Sequence, residues 1–170
     1  MNIRAERPED RDAVHRVNAA AFPTSVEADL VDRLRIGAHP CISLVAENEG
    51  NIAGHILFTP VTVSGLQTES LVMGLAPMAV APTCQRQGIG SHLVRVGLER
   101  CRELQVSAVV VLGHEEYYPK FGFEPASLHG LVYKTDQYDP YFFVLELAGG
   151  ALEKLHGSVD YHPEFSKIAE

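Results

Sequence analysis

Apolar residues recur along the chain with two different periods, and the switches between them divide it into elements. Residues 2–6 read as a short first strand. Pro8 then suits the first position of a helix, and Glu9, Asp10 and Asp12 complement the positive end of its dipole. Ala13, Val14, Val17 and Ala21 follow at three- and four-residue steps, which predicts an apolar stripe on one helix face, and Phe22–Pro23 ends it. A second helix is predicted over 27–36, with Leu30, Val31 and Leu34 inward and Gly37 as the stop.

The middle of the chain switches to strand character. Residues 42–46 and 52–58 flank a hairpin-like loop, 47–51, in which Gly50 is free to take a positive φ. Residues 71–80 form a third extended run, but Gly74 and Pro77 forbid an unbroken ladder, so a bulge is expected where the strand bends around a site. The clearest helix is 88–104, with Ile89, Leu93, Val94, Leu98, Cys101 and Leu104 as its buried face. Gly97 inside it costs about 1 kcal/mol against alanine, which close packing on a sheet would offset. Residues 107–112 read as a strand buried on both faces, 115–121 as a short helical turn, and 141–145 as a late aromatic strand. Beyond Gly149 the pattern assigns no element. Helices, a meander, then strand–helix–strand is the order of a layered α/β domain.

Composition narrows the classes. The chain has 170 residues, which predicts one domain over 1–170. Lys plus Arg is 14 against 22 Asp plus Glu, a net charge of −8, which argues against a nucleic-acid partner that must be met by cations. No apolar run approaches the roughly 20 residues of a membrane span, and the first residues carry no apolar signal core, so a cytoplasmic protein is expected. Three scattered cysteines, Cys41, Cys84 and Cys101, predict neither a disulfide framework nor a zinc cluster, and the histidines show no metal spacing.

The chemistry is concentrated in Met78-Ala79-Val80-Ala81-Pro82-Thr83-Cys84-Gln85-Arg86-Gln87-Gly88-Ile89-Gly90-Ser91. A strand ends, a polar turn follows, and two glycines open a long helix, whose free N–H groups and positive dipole end suit an anion. Gly88 and Gly90 carry no Cβ to hold a phosphate away, and Arg86 adds a cation that can fork onto it. Neither G-x-x-x-x-G-K-[ST] nor G-x-G-x-x-G is present. By themselves, the two glycines are better explained by a tight turn with close helix–sheet packing.

The whole string, V-A-P-x-x-Q-x-x-G-I-G-x-x-L at a strand-to-helix junction, resembles the acetyl-CoA-binding motif of the GNAT superfamily, the Gcn5-related N-acetyltransferases. Tyr118-Pro119-Lys120-Phe121-Gly122-Phe123 looks like that family's tyrosine followed four residues later by Gly-Phe. The likeness spans about residues 1–147, leaving 148–170 as a C-terminal extension, and is nearest to the YhbS-like bacterial branch. It implies a mixed, mostly antiparallel sheet of about six to seven strands flanked by helices. It also implies a V-shaped slot between the 71–80 strand and the 108–112 strand. In that likeness Met78, Ala79 and Val80 match the strand that pairs with the pantetheine arm. Gln85, Arg86, Gln87, Gly88, Ile89 and Gly90 match the loop around the pyrophosphate, and Ser91 continues into the helix. Tyr118 matches the residue that protonates the departing thiolate, with Tyr117 as its substitute.

The implied reaction is direct attack by a primary amine of a small molecule or peptide on acetyl-CoA, without a metal or a covalent enzyme intermediate. Backbone N–H groups near 78–80 would meet the developing oxyanion. A lysine-type amine, with pKa near 10.4, is neutral in only about one molecule in a thousand at pH 7, so a proton acceptor is needed. His114, Glu115 and Glu116 follow the buried strand and read first as loop, capping and helix-dipole residues, and Glu69 is a remote candidate base. On the residues alone Tyr118 reads as a packing aromatic, whereas the resemblance favours the acid role; Cys84 is read as incidental. An acetyl-CoA-binding sensor without turnover, and transfer of another acyl chain, are the competing functions. The sequence leaves a homodimer open.

Overall fold

Alternating apolar positions between residues 42 and 80 become the centre of a sheet that is closed on both faces. The computed structural model describes residues 1–66 and 70–168; Glu69 lies outside them. In chain order the elements are β1 (Asn2–Ala5), α1 (Arg11–Ala21), α2 (Val26–Gly37), β2 (Ile42–Asn48), β3 (Asn51–Pro60), β4 (Thr62–Val63) and β5 (Val72–Val80). They continue with α3 (Ile89–Glu103), β6 (Ala108–Leu112), β7 (Glu124–Pro125), β8 (Leu131–Tyr133), β9 (Phe142–Glu146) and β10 (Gly157–Asp160). Among the described residues a seven-stranded sheet runs β1-β2-β3-β5-β6-β9-β7, antiparallel except for the β5–β6 pair. A smaller sheet has the order β4-β10-β8.

Side-chain parity assigns the layers. Leu44, Ala46, Ile56, Phe58, Met73, Val109 and Val111 face α3, whose Ile89, Leu93, Val94, Leu98 and Cys101 complete that core. Val45 and Leu57 face the other way, under Val14 of α1 and Leu30, Val31 and Leu34 of α2. On the same side, Val72, Val110 and Val144 pack beneath the small sheet's Val63, Leu131 and Val159. Gly97 sits where helix and sheet touch, since a Cβ there would lie 2.6 Å from Cζ of Phe58.

Several expectations are refined. The β2–β3 turn is tight, with Glu49 at φ 51° and Gly50 at 81°. Leu104 does not belong to the buried face: it caps α3 and is 43% exposed. The chain leaves the helix there through Gln105 at φ 62°, and Val106 takes the core position instead. The first helix begins as a 3-10 turn at Pro8–Asp10, and Asn18 and His55 are buried polar residues that the apolar pattern does not signal. His55 is satisfied by Asn18 at 3.1 Å and the Ser43 hydroxyl at 2.8 Å. Burial pushes its pKa down to about 4, so it is neutral near pH 7. No helix among the described residues is long and apolar enough to cross a membrane.

Candidate active site

The bulge expected in β5 lies at Ala76–Pro77. Ile56 pairs with Met78 and Phe58 with Leu75, so β5 spends one residue more than β3 over the same stretch. Its parity therefore flips: Met73 and Leu75 face α3 before the bulge, and Met78 and Val80 face it afterwards. On its other edge β5 pairs with β6 only through Val72–Ala108, Met73–Val109 and Gly74–Val110. Beyond Gly74 the two strands part. Tyr161, from the C-terminal segment, fills the apex of the split: its ring lies against Gly74, and its hydroxyl donates to the Val110 carbonyl at 3.4 Å.

Splaying leaves backbone groups without a ladder partner. Ala81 N–H donates to Ala53 O at 2.8 Å, which makes 53–81 and 55–79 the hydrogen-bonded pairs of the antiparallel register. Met78 and Val80 lie between them, so their N–H and C=O groups turn from β3 toward the slot. Gln85 Nε2 donating to Val80 O at 3.0 Å agrees with that orientation. The Ala79 amide is committed to β3, and Ala79 offers the slot only its side chain.

The slot opens on the N-terminus of α3. Gly88 caps the helix at φ 86°, preceded by Arg86 at φ 62°, and no side chain caps the first-turn N–H groups. Gly88 is needed for its φ rather than for room, because a Cβ there would meet nothing within 4 Å. At Gly90 room decides: a Cβ would sit 3.3 Å from the Tyr117 hydroxyl.

Together these elements enclose a cavity of about 900 Å³ that passes from the α3 face of the sheet to the α1–α2 face. Met78, Ala79, Val80, Gln85, Arg86, Gly88, Ile89, Gly90, Ser91, Tyr117 and Tyr118 all line it. Gln87 does not; its exposed side chain turns back to Thr83 O, at 3.5 Å. The Ile89 side chain is in the core, which leaves its N–H for the cavity.

The two tyrosines differ. Tyr117 is tied to Ser91 Oγ at 3.1 Å, with the Lys120 ammonium 4.0 Å above its ring. Tyr118 is 7% exposed, packed edge-on to Tyr117 and Phe123 and flat against Gly113, where a Cβ would collide with it. Its hydroxyl has no partner within the described chain. Burial, with Tyr117 adding to it, raises the Tyr118 phenol far above its ordinary value, so it stays protonated.

His114 lines the cavity and its carbonyl accepts from Tyr117 N–H at 3.1 Å, a turn-forming role, whereas Glu115 and Glu116 are exposed outside the lining. Burial pushes the Cys41 thiol up to about 11 and that of Cys101 to about 12, which keeps both as thiols. His15, Asp29 and Asp32 bring ligand atoms within 4.8 Å of one another, but His15 is bonded to Asp32 at 2.8 Å and Asp32 to Arg35 at 2.9 Å. The lining also includes residues that the sequence pattern did not single out for the site, among them Glu27 at the start of α2, Lys120, and Phe165 in the 3-10 turn Pro163–Ile168.

The split between β5 and β6, the uncapped N-terminus of α3 and the Tyr118 phenol thus border one cavity. Residues 2–126 match the acetyltransferase (GNAT) domain. The chain belongs to the GNAT family and is an acetyl-CoA-dependent acyltransferase. It is 44% identical to the N-acetyltransferase YjhQ of Escherichia coli strain K12 over 120 residues, 69% of this chain and 66% of that protein. It is 36% identical to the N-acetyltransferase YhbS of the same strain over 169 residues, 99% of this chain and 100% of that protein. The crystal structure of Escherichia coli YhbS in complex with CoA superposes with a TM-score of 0.89 at 35% identity, covering 99% of this chain and 93% of that one. A GNAT acetyltransferase from Brucella melitensis in complex with acetyl-CoA gives 0.79 at 34% identity, over 96% and 97%.

Proposed function

We propose that this chain moves the acetyl group of acetyl-CoA to a primary amine by direct attack, with the sites assigned as follows. The observation that carries the reading is the release of β5 from β6 at Gly74, which aims the Met78 and Val80 amides into a slot ending on the N-terminus of α3. The diphosphate is held by the N–H groups of Gly88 to Ser91 and by Arg86, where the dipole favours negative charge. The pantetheine arm takes the ladder positions that β6 vacates along β5. That arrangement sets the thioester oxygen against a β5 amide, a preorganised donor of the kind worth 10²–10³ in rate.

The amine loses one proton to water and attacks the thioester carbon. A C–N bond forms as the C–S bond breaks, and the leaving sulfur takes a proton from Tyr118. The nitrogen gives its second proton to water, and Tyr118 is reprotonated from water. Tyr118 fits this role better than Tyr117 because its hydroxyl is uncommitted, whereas that of Tyr117 is bonded to Ser91. Gln87 is left out of the binding set.

Free-thiol release from acetyl-CoA with a panel of primary amines, aminoglycosides and short peptides tests the reading. Saturable release with one class of amine is expected. Tight acetyl-CoA binding without release across the panel would replace it with the sensor function.

A further inference from the structure

Glu27 is an acidic side chain left without a counter-ion beside the slot. Asp10 and Glu47 are paired with Arg4, Glu6 and Asp32 with Arg35, and Glu164 with Arg33 and Lys167. Glu27 has no hydrogen bond or ion pair among the described residues, and its Oε2 is buried. It is also the one carboxylate lining the cavity among the described residues. The cavity's cationic side chains, Arg86 and Lys120, stand beside the α3 end, Arg86 in the loop before the helix and Lys120 over the Tyr117 ring. Glu27 stands across the sheet, on the α1–α2 face, where Phe22, Leu30 and Phe165 also line the cavity.

A carboxylate in the first turn of a helix is ordinarily explained by the dipole. Asp29, in the same turn, is exposed and satisfies that account in water. The dipole gives no reason to bury a charged oxygen among apolar side chains, where an unpartnered carboxylate is costly. Glu27 is half-buried, and a donor or cation entering the cavity gives its buried oxygen the partner it lacks.

We propose that Glu27 receives the ammonium of the acceptor, and that the acceptor is a primary ammonium carried on an apolar stem. The assignment rests on the acetyl-transfer reading above, which places the thioester between Glu27 and the cations. Glu27 binds the charged nitrogen and holds it on the far side of the slot from the diphosphate; the protons then leave as described. One anion amid apolar walls selects against two competitors. An amine flanked by its own carboxylate brings a like charge beside Glu27, and a polyamine brings a second cation with no partner among Phe22, Leu30 and Phe165.

The test uses the full-length protein saturated with CoA, ligand-observed NMR, and three probes: 2-phenylethylamine, 2-phenylethanol and spermidine. The wild type should bind phenylethylammonium at least about tenfold more tightly than the alcohol, which has the same stem without the charge, and more tightly than spermidine. In Glu27→Gln the preference for ammonium over alcohol should fall to about one, with acetyl-CoA affinity unchanged within twofold. An equal ratio in the wild type, or an unchanged ratio in Glu27→Gln, overturns the assignment and leaves acetyl transfer standing. Tighter spermidine binding overturns the apolar stem. Failure of the wild type to bind acetyl-CoA at all would instead overturn the reading beneath it.

Discussion

Replacing Tyr118 with phenylalanine removes one oxygen from a side chain that is 7% exposed and whose hydroxyl bonds to nothing else in the described chain. The ring contacts with Tyr117, Phe121 and Phe123 survive the change, and no hydrogen bond is lost. Stability should therefore stay within about 0.5 kcal/mol of wild type, because an unpaired hydroxyl contributes nothing to be lost. The rate is another matter. If Tyr118 meets the leaving sulfur, its loss should lower kcat by about 10²–10³-fold, or about 3–4 kcal/mol, as for other preorganised donors. Acetyl-CoA affinity should change by less than about twofold, since the substitution touches neither β5 nor the α3 N-terminus. Free-thiol release with a saturating primary amine, calorimetric titration with acetyl-CoA and thermal unfolding measure the three quantities. Tyr117→Phe is the matched control: it loses the Ser91 bond, costing about 1 kcal/mol of stability, and should retain most of the rate. Because burial raises the Tyr118 phenol, the wild type should show no loss of kcat up to pH 10 from this group. Full activity in Tyr118→Phe, or collapse in Tyr117→Phe instead, refutes the assignment.

Other expectations follow from the packing around the slot. The His55 pKa, held down at about 4, lies below the unfolded value near 6.5. The unfolded chain thus binds a proton first as pH falls, and the stabilising effect of neutral His55 is lost from about pH 6.5 toward 4, on the order of 3 kcal/mol in all. Urea unfolding at pH 7 and pH 5 should show that slope in the wild type and a shallower one in His55→Gln; parallel slopes would disprove it. Gly97→Ala gains helix propensity of about 1 kcal/mol but drives a Cβ into the buried Phe58 ring, a cost of about 1–3 kcal/mol, so net destabilisation is expected in a thermal melt. Gly88→Val forces a β-branched residue to φ 86°, which should tilt the first-turn amides and weaken acetyl-CoA binding at least tenfold by calorimetry. Unchanged affinity there would detach the diphosphate from this turn.

The half of the cavity proposed to hold CoA was legible because one continuous segment writes it. A strand, a bulge forced by Pro77, a turn and two glycines follow one another between residues 71 and 91, and each leaves a local chemical mark. The opposite half was not legible. Glu27 reads in sequence as an ordinary helix-start carboxylate, and only packing turns it into the cavity. Phe165 and Tyr161 come from a tail without periodicity, placed by contacts with α2, Gly74 and Val110 that are remote in sequence. The small β4-β10-β8 sheet escaped for the same reason, since strands of two to four residues are too short to show alternation. Gln87 lies inside the same segment, yet its side chain turns back to Thr83 O instead of lining the cavity.

The most direct measurement is a crystal structure of this chain with acetyl-CoA. The diphosphate should lie within hydrogen-bonding distance of the first-turn amides of α3, with the thioester between the freed edge of β5 and the Tyr118 hydroxyl. A diphosphate bound elsewhere, or a pantetheine arm that leaves Met78 and Val80 unpaired, would contradict the account.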